Sequence, residues 1–385
     1  MTGLPETTDL LAELIAYPTV SPDSNLDMIA CLATRLDEAG ASVEVLHDES
    51  GRKANLFARI GPEVPGGIML SGHTDVVPAA PEDWQSDPFA MRADDARLYG
   101  RGACDMKGFI AASVAMAPLF AERELTKPLY FAFTHDEEVG CLGAQSLVEA
   151  LRGRDLLPDI AIVGEPTEMR IIEGHKGCCE YSTHFRGLAG HGSSPDHGVN
   201  AVEFAVRYVN RLMELKEALK TRAPADSLFE PPWTTINTGA LSGGVAHNVI
   251  PGHAQVDWEM RPVQKSDADF VRGDLWRYCE EVLLPAMRSV SPEATIETEV
   301  VGEVQGLIPA SENEARDIIM ELTGANGAGV VPFGTEAGLF QDLGMSVVVC
   351  GPGCIDQAHK PDEYVDLTQM GQCLGLLERL SEKLS

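Results

Sequence analysis

The sequence predicts an α/β chain, with a largely parallel sheet flanked by helices, interrupted by an inserted α+β unit of ferredoxin-like order. Three observations predict it. Short apolar runs alternate with stretches of helical period up to about residue 180. From there the order becomes strand, helix, strand, strand, helix, strand, and the strands alternate polar with apolar residues. After about residue 302 the first style returns. A chain of 385 residues suits two domains better than one. The expected division is one domain from 1–179 and 302–385, with 180–301 inserted into it.

Each element has its own signal. "DLLAELIAY" and "LDMIACLATRLDEAG" carry the helical period, and the second closes on Gly40. "SVEVLH", "ANLFARI", "GIMLSG", "LYFAFT" and "IAIVG" read as short apolar strands. Between two of them, "GFIAASVAMAPLFAE" predicts one helix with an almost continuous apolar face. In the insert, "EYSTHFRG", "WTTINTGALSGG", "GHAQVDWEMRPV" and "ATIETEVV" are strands. "NAVEFAVRYVNRLMELKEALK" and "DADFVRGDLWRYCEEVLLPAMRS" are long amphipathic helices. "ENEARDIIMELTG" (helix), "MSVVVCG" (strand) and "DLTQMGQCLGLLERLSEKL" (helix) complete the chain. There is no internal repeat and no low-complexity segment.

The charge is strongly one-sided, −30 net, with a pI near 4.6. Such a chain repels phosphate backbones, which argues against a nucleic-acid partner. The same field favours a cationic substrate and also serves solubility. The nine cysteines are an odd number scattered along the chain. The first residues lack a basic stretch followed by an apolar core, so no secretory signal is expected. No stretch offers the roughly 18 apolar residues of a membrane span. The expectation is a cytoplasmic protein with reduced thiols and no membrane partner. Cys350 and Cys354, and the adjacent Cys178 and Cys179, lack the C-x-x-C spacing of a metal site and read as small buried residues.

Against this ordinary background, the predicted strands end in unusual residues. "SGHTDVVPA" places His73 and Asp75 where a strand stops. "RLYGRGACDMKG" puts Asp105 in a Gly-rich turn before a helix. "YFAFTHDEEVG" ends in Asp136, Glu137 and Glu138, "IAIVGEPTE" in Glu165, and "VVVCGPGCIDQAH" leads to His359. In open α/β sheets, sites lie outside the carboxyl ends of the strands. Clustered carboxylates in a cleft need a cation to neutralise them. Imidazole and carboxylate without thiolate suit zinc, cobalt or manganese. Five ligands exceed one open tetrahedral site and suit two ions about 3.5–4 Å apart with one carboxylate bridging. A further carboxylate beside them can take a proton from water.

These motifs, "SGHTDVVP", "GRGACDMKG", "THDEEVG", "VGEPT" and "QAHKPDEYV" in this order, resemble the co-catalytic metallopeptidase and deacylase family. Its members include acetylornithine deacetylases, succinyl-diaminopimelate desuccinylases, aminoacylases and glutamate carboxypeptidases. The resemblance spans nearly the whole chain and implies a metal-dependent exopeptidase-like fold whose insert mediates dimerisation. It implies that His73 and Glu165 hold one ion, Glu138 and His359 the other, and Asp105 both. Glu137 would be the general base, and the Asp75 carboxylate would orient the His73 ring. The ions implied are two per chain, zinc first and cobalt second. A cis peptide between Asp105 and Met106 is also implied.

"HKGCCEYSTHFRGLAGHGSSPDHGVNA" and "PFGTEAGLF" look most like the acetylornithine deacetylase branch. That implies a small-molecule N-acyl amino acid as partner, with Thr335 and Glu336 among the substrate-binding residues. His191 resembles the family histidine that reaches the partner subunit's active site in a homodimer. Asn248 and Arg261 resemble the family groups that bind the substrate carboxylate, a task suited to an arginine fork. Deacylation of another N-acyl amino acid, or desuccinylase, carboxypeptidase or dipeptidase activity, is the alternative within the family. A non-catalytic binding protein on the same fold is the alternative outside it.

Overall fold

The computed structural model describes residues 3–385. The chain forms two compact units. The first comprises Met1–Gly174, Pro309–Val330 and Thr335–Ser385; the second comprises His175–Ile308 with Val331–Gly334.

The first unit is built on an eight-stranded mixed sheet. Across it run Ser42–His47, Ala54–Ile60, Leu129–Thr134, Ile68–His73, Ile160–Pro166 and Ser346–Gly351, followed by two short strands that start at Ile172 and Gly329. From Leu129–Thr134 to Ser346–Gly351 the neighbours are parallel. The pairs outside this core, as far as Ile172, are antiparallel. The parallel strands are buried on both faces and read as unbroken apolar runs for that reason. Each fully buried Phe, Leu or Val contributes about 1.5–3 kcal/mol relative to exposure. Because these strands share a direction, their carboxyl ends lie along one edge of the sheet.

Packing allows little freedom beneath that edge. A Cβ on Gly164, one residue before Glu165, would sit 2.0 Å from the ring of Phe109, so only glycine lets strand and helix approach this closely. The helix carrying Phe109 departs from expectation. It is two helices, Gly108–Ala115 and Ala117–Ala121, broken at Met116. Pro118 lacks the N–H that would return to Val114, so the ladder cannot run through. The segment Ala103–Ala121 is long and apolar enough to cross a membrane, against the expectation that no stretch is. Its most apolar window is 83 % buried in the protein.

Several features of this unit have no counterpart in the sequence reading. Among them are the helices Leu142–Leu151 and Ala337–Asp342, the two short strands that start at Ile172 and Gly329, and a small sheet of Arg92–Ala93, Arg97–Tyr99 and Tyr364–Asp366.

The second unit is a four-stranded antiparallel sheet in the order Thr235–Gly243, His253–Arg261, Cys178–Arg186, Thr295–Val304. The first strand in the chain lies between the third and the fourth, which is the ferredoxin-like arrangement. The boundaries expected at 180 and 301 fall inside its first and last strands. Along His253–Arg261 every second residue is buried, as one covered face demands. Leu212, Leu215, Val271 and Leu275 from the two long helices meet Val256 and Trp258 from that strand. Asn200 caps the first helix, Ala201–Lys220, by accepting from the N–H groups of Val202 and Glu203. The second helix, Lys265–Tyr278, continues through a widened turn at Cys279–Leu283 into Leu284–Arg288.

Candidate metal centre

Every predicted ligand lies in the first unit, and the shared strand edge brings them together. His73 ends its strand, Glu165 is the penultimate residue of the neighbouring one, and Glu137 and Glu138 follow the strand on the other side. Asp105 sits in a tight turn, Ala103–Lys107, entered through Gly102 at φ +82. The Asp105–Met106 peptide is cis. Ligand atoms of His73, Asp105 and Glu138 lie within 4.8 Å of one another, as do those of His73, Glu137 and Glu165.

Asp105 is central. Its Oδ1 lies 3.0 Å from His73 Nε2, and its Oδ2 lies 3.4 Å from His359 Nε2. One carboxylate thus faces two imidazoles, one with each oxygen. Behind His73 stands Glu165, at 3.7 Å, and beside His359 stands Glu138, at 3.1 Å. His73, Asp105 and Glu165 are buried, whereas His359 is exposed and marks the open side. His359 adopts φ +63, a conformation uncommon outside glycine.

The electrostatics indicate what the donor set suits. His73 Nδ1 donates to the main-chain carbonyl of Asp75 at 2.9 Å. A carbonyl only accepts, so the ring proton is on Nδ1. In a neutral ring, the Nε2 lone pair then faces the carboxylates of Asp105 and Glu165. Lone pair against anion is repulsive unless a cation lies between them. With protons alone available, burial opposes charging His73, but the hydrogen bond to Asp105 and the charge of Glu165 hold it well above its ordinary range. Burial also works against Asp105, yet hydrogen bonds from His359 and His73 keep its carboxyl well below the usual range. Hydrogen bonds to Asp105 and Glu138 push His359 up to about 10. Burial, with the charges of Glu138 and Asp105 outweighing that of His73, pushes Glu137 up to about 8. Burial and Asp105 raise Glu165 well above the carboxylate range. Buried anions this close call for cations, and the nitrogen and oxygen donors fit divalent ions of the zinc and cobalt kind.

Asp75 corrects an expectation. Its carboxylate lies 3.7 Å from His73 Nδ1, outside hydrogen-bond range, and the main-chain oxygen holds the ring instead. The carboxylate accepts from the backbone N–H groups of Glu137 (3.0 Å) and Glu138 (3.3 Å) and from Ser21 Oγ (2.8 Å). The turn after the strand brings those N–H groups nearer than the ring, so Asp75 fixes the tandem carboxylates. Sequence reasoning missed Ser21, and it missed Cys141, whose Sγ donates to Glu137 Oε1 at 3.3 Å. Neither stands in a motif that announces such a role.

Thr335 and Glu336 are fully buried. Glu336 accepts from Ser71 Oγ (2.6 Å) and Thr134 Oγ1 (2.7 Å), so both oxygens brace the ends of two central strands.

The remaining expected site residues lie in the second unit. His191 and Asn248 come together in a short ribbon, where Gly192 N donates to the Asn248 carbonyl and His191 pairs with Val249. Ser193 N donates to His191 Nδ1, which leaves Nε2–H as the donor of the neutral ring. Arg261 donates from Nε and Nη2 to Glu259, two residues earlier on its strand, so its fork is already engaged within the unit. All nine cysteines are unpaired. Cys178 and Cys354, expected to be buried, are half-buried, and Cys178 groups with Glu180 and Glu259. Burial pushes its thiol up to about 12, which disfavours the thiolate a metal would need.

The chain is similar to known proteins along nearly its whole length. The model of peptidase family M20/M25/M40 matches residues 69–383. An acetylornithine deacetylase of Myxococcus xanthus is 38% identical over 381 residues, 98% of this chain and 97% of its own length. One from Photorhabdus laumondii is 34% identical over 384 residues, again 98% and 97%. Among solved structures, an M20 metallo-carboxypeptidase of Sulfolobus solfataricus superposes with a TM-score of 0.75 at 17% identity, covering 98% of this chain and 99% of that one. A dinuclear metal-binding M20 peptidase of Bacillus subtilis gives 0.64 at 17% identity, covering 99% and 98%.

Proposed function

This chain belongs to the peptidase family M20/M25/M40 and is an enzyme, a metal-dependent acyl-amino-acid hydrolase; from that premise we propose that it converts N2-acetyl-L-ornithine to L-ornithine and acetate. The substrate assignment is supported by full-length relatives named acetylornithine deacetylase and by the acidity of the chain, which suits a substrate bearing a free amine. The reading of the site is carried by one observation: Asp105 faces an imidazole with each carboxylate oxygen.

His73 and Glu165 would hold one divalent cation, His359 and Glu138 the other, with Asp105 shared. Zinc is the first candidate and cobalt the second. Bound there, such ions would supply Lewis acidity toward the amide carbonyl and the water. Glu137 supplies the base. Its Oε1 is engaged by Cys141 Sγ, so Oε2 takes the proton from the attacking water and passes it to the departing amine. Asp75 and Ser21 hold the turn that aims Glu137. His191, with Nε2–H as donor, would stabilise the developing oxyanion from a partner subunit. The reading includes a homodimer formed through the inserted unit, a cytoplasmic setting and a place in arginine biosynthesis. Asn248 and Arg261 remain the groups proposed for the substrate carboxylate, Arg261 by exchanging Glu259 for it.

The test is a hydrolysis screen of chelator-stripped protein reloaded with zinc or cobalt. Substrates would be N2-acetyl-ornithine, N-succinyl-diaminopimelate, N-formyl amino acids and dipeptides. The expected result is a kcat/KM for acetylornithine at least tenfold above the others. Preference for the succinyl substrate or a dipeptide would move the protein to another branch. Hydrolysis at full rate without any metal would refute the mechanism.

A further inference from the structure

The turn that carries Asp105 has an unusual arrangement of donors. Asp105 and Met106 have non-helical dihedrals, so the turn cannot use its N–H groups in a regular helical ladder. Those of Gly102, Cys104 and Asp105 converge instead on one side chain, that of Glu363. Its Oε2 accepts from Gly102 N at 3.1 Å and from Arg101 Nη1 at 2.7 Å. Its Oε1 accepts from Cys104 N at 3.0 Å and from Asp105 N at 3.1 Å. Glu363 is 1% exposed and Arg101 3%. A surface ion pair of no consequence would be exposed and would engage side chains alone. This carboxylate is buried, and three of its four donors belong to the backbone of a single turn.

The same residue is tied to the other half of the site. Gly100 N donates to the Glu363 carbonyl at 3.0 Å. The next residue, Tyr364, pairs with Tyr99 in the small antiparallel sheet. His359 lies just upstream of Glu363, and Asp105 just downstream of Gly100. The small sheet therefore joins the segment bearing an exposed ligand to the segment bearing the central one.

We propose that Glu363, backed by Arg101, is a positioning residue that fixes the bridging carboxylate Asp105 by holding the backbone of its turn. This inference rests on the two-cation reading above. Since Asp105 faces both imidazoles, loosening its turn weakens both ion sites together. Removing a group that supports a metal ligand typically costs 10–100-fold in metal affinity.

Glu363→Gln is the first variant, because its amide offers a donor where the turn already presents donors. Three measurements decide. Zinc affinity, by competition with a chromophoric chelator, should fall about 10–100-fold at both sites. The visible spectrum of cobalt-loaded protein should change in band position or intensity, which a distant loss of stability leaves alone. Hydrogen exchange of metal-free protein should speed up at least tenfold in the peptide covering 100–108, relative to the rest of its unit. Wild-type values in all three overturn the proposal. Should Glu363→Gln fail to fold, Arg101→Lys keeps the charge and loses the fork; a roughly 3–10-fold loss of zinc affinity is expected, and an unchanged affinity overturns the proposal. If wild-type protein takes up no zinc, the two-cation reading fails. The exchange measurement then still decides whether Glu363 holds the turn.

Discussion

Replacing Asp75 by Asn distinguishes two ways of building the same site. The buried carboxylate accepts from Glu137 N, Glu138 N and Ser21 Oγ, while the ring of His73 is held by the Asp75 main chain. Asn keeps the shape and the main-chain carbonyl but has a single acceptor oxygen. One backbone hydrogen bond to a charged acceptor is lost, and the other becomes neutral. Bonds to charged groups are worth about 1.5–3 kcal/mol and neutral ones about 1 kcal/mol, so the turn loses about 2–4 kcal/mol of restraint. If about half of that is felt in aligning Glu137, and each ~1.4 kcal/mol is tenfold in rate, kcat falls about 5- to 30-fold. Zinc affinity should stay within about threefold at the site that includes His73, whose tautomer contact is untouched, and fall about tenfold at the one that includes Glu138, whose backbone N–H loses a charged acceptor. The assay pairs chelator competition with kcat at saturating zinc. The opposite pattern, zinc affinity at the His73 site down by 30-fold or more with kcat per bound ion preserved, would mean that the carboxylate works on the ring after all.

Four further outcomes are expected. Glu137→Gln should lower kcat by at least 10²-fold and keep its metal content; metal loss from this variant, with Glu138→Gln keeping its metal, would exchange the two roles. In stripped protein, Glu137 sits at about 8, above its unfolded value, so the folded state holds the proton longer and stability falls as pH rises from about 4.5 to 8. His359, raised to about 10, acts in the same direction: its contribution is complete below about 6.5 and is lost as pH climbs towards 10. The unfolding midpoint of metal-free protein should therefore drop between pH 5 and 9, with zinc restoring more at pH 9 than at pH 6; a flat profile contradicts this. Glu336→Gln should lower the unfolding midpoint and leave KM within about threefold, since it bonds Ser71 and Thr134 in the interior; a tenfold rise in KM at unchanged midpoint would return it to the substrate. Mixing inactive Glu137→Gln with inactive His191→Ala under subunit exchange should restore part of the activity; no recovery despite proven exchange would confine His191 to its own chain or to no role.

The ligands were legible in the sequence because of where they stand. An apolar run that stops at a titratable residue marks both the end of a strand and a side chain that folding alone does not require. Several such ends, in a parallel sheet, must meet at one edge. The supporting groups were illegible for the converse reason. Glu363 lies 258 residues from Asp105, in "KPDEYV", where an acid beside proline and aspartate resembles a solvated turn. Ser21 and Cys141 belong to no periodic pattern, and their partners are defined only once distant segments pack. Asp75 shows the limit most clearly. Its position was readable, but whether its carboxylate or its main chain meets His73 depends on fractions of an ångström in a turn. The helix broken at Met116 was readable in principle, since Pro118 stands in plain view inside the apolar run.

The strand order also imposes a timetable on synthesis. Ser346–Gly351 lies in the sheet beside Ile160–Pro166, yet the whole of the second unit is translated between them. At about 5–20 residues per second, on the order of 10–40 s separates the two on the ribosome. The strands of the second unit all fall within Cys178–Val304, so that unit can pair its own strands during the wait. Ile160–Pro166 cannot; its outer edge stays open to any passing strand, which is an aggregation hazard. His359 emerges later still. The nascent chain therefore carries a half-built sheet and an incomplete set of site residues until Ser346–Gly351 and then His359 have emerged.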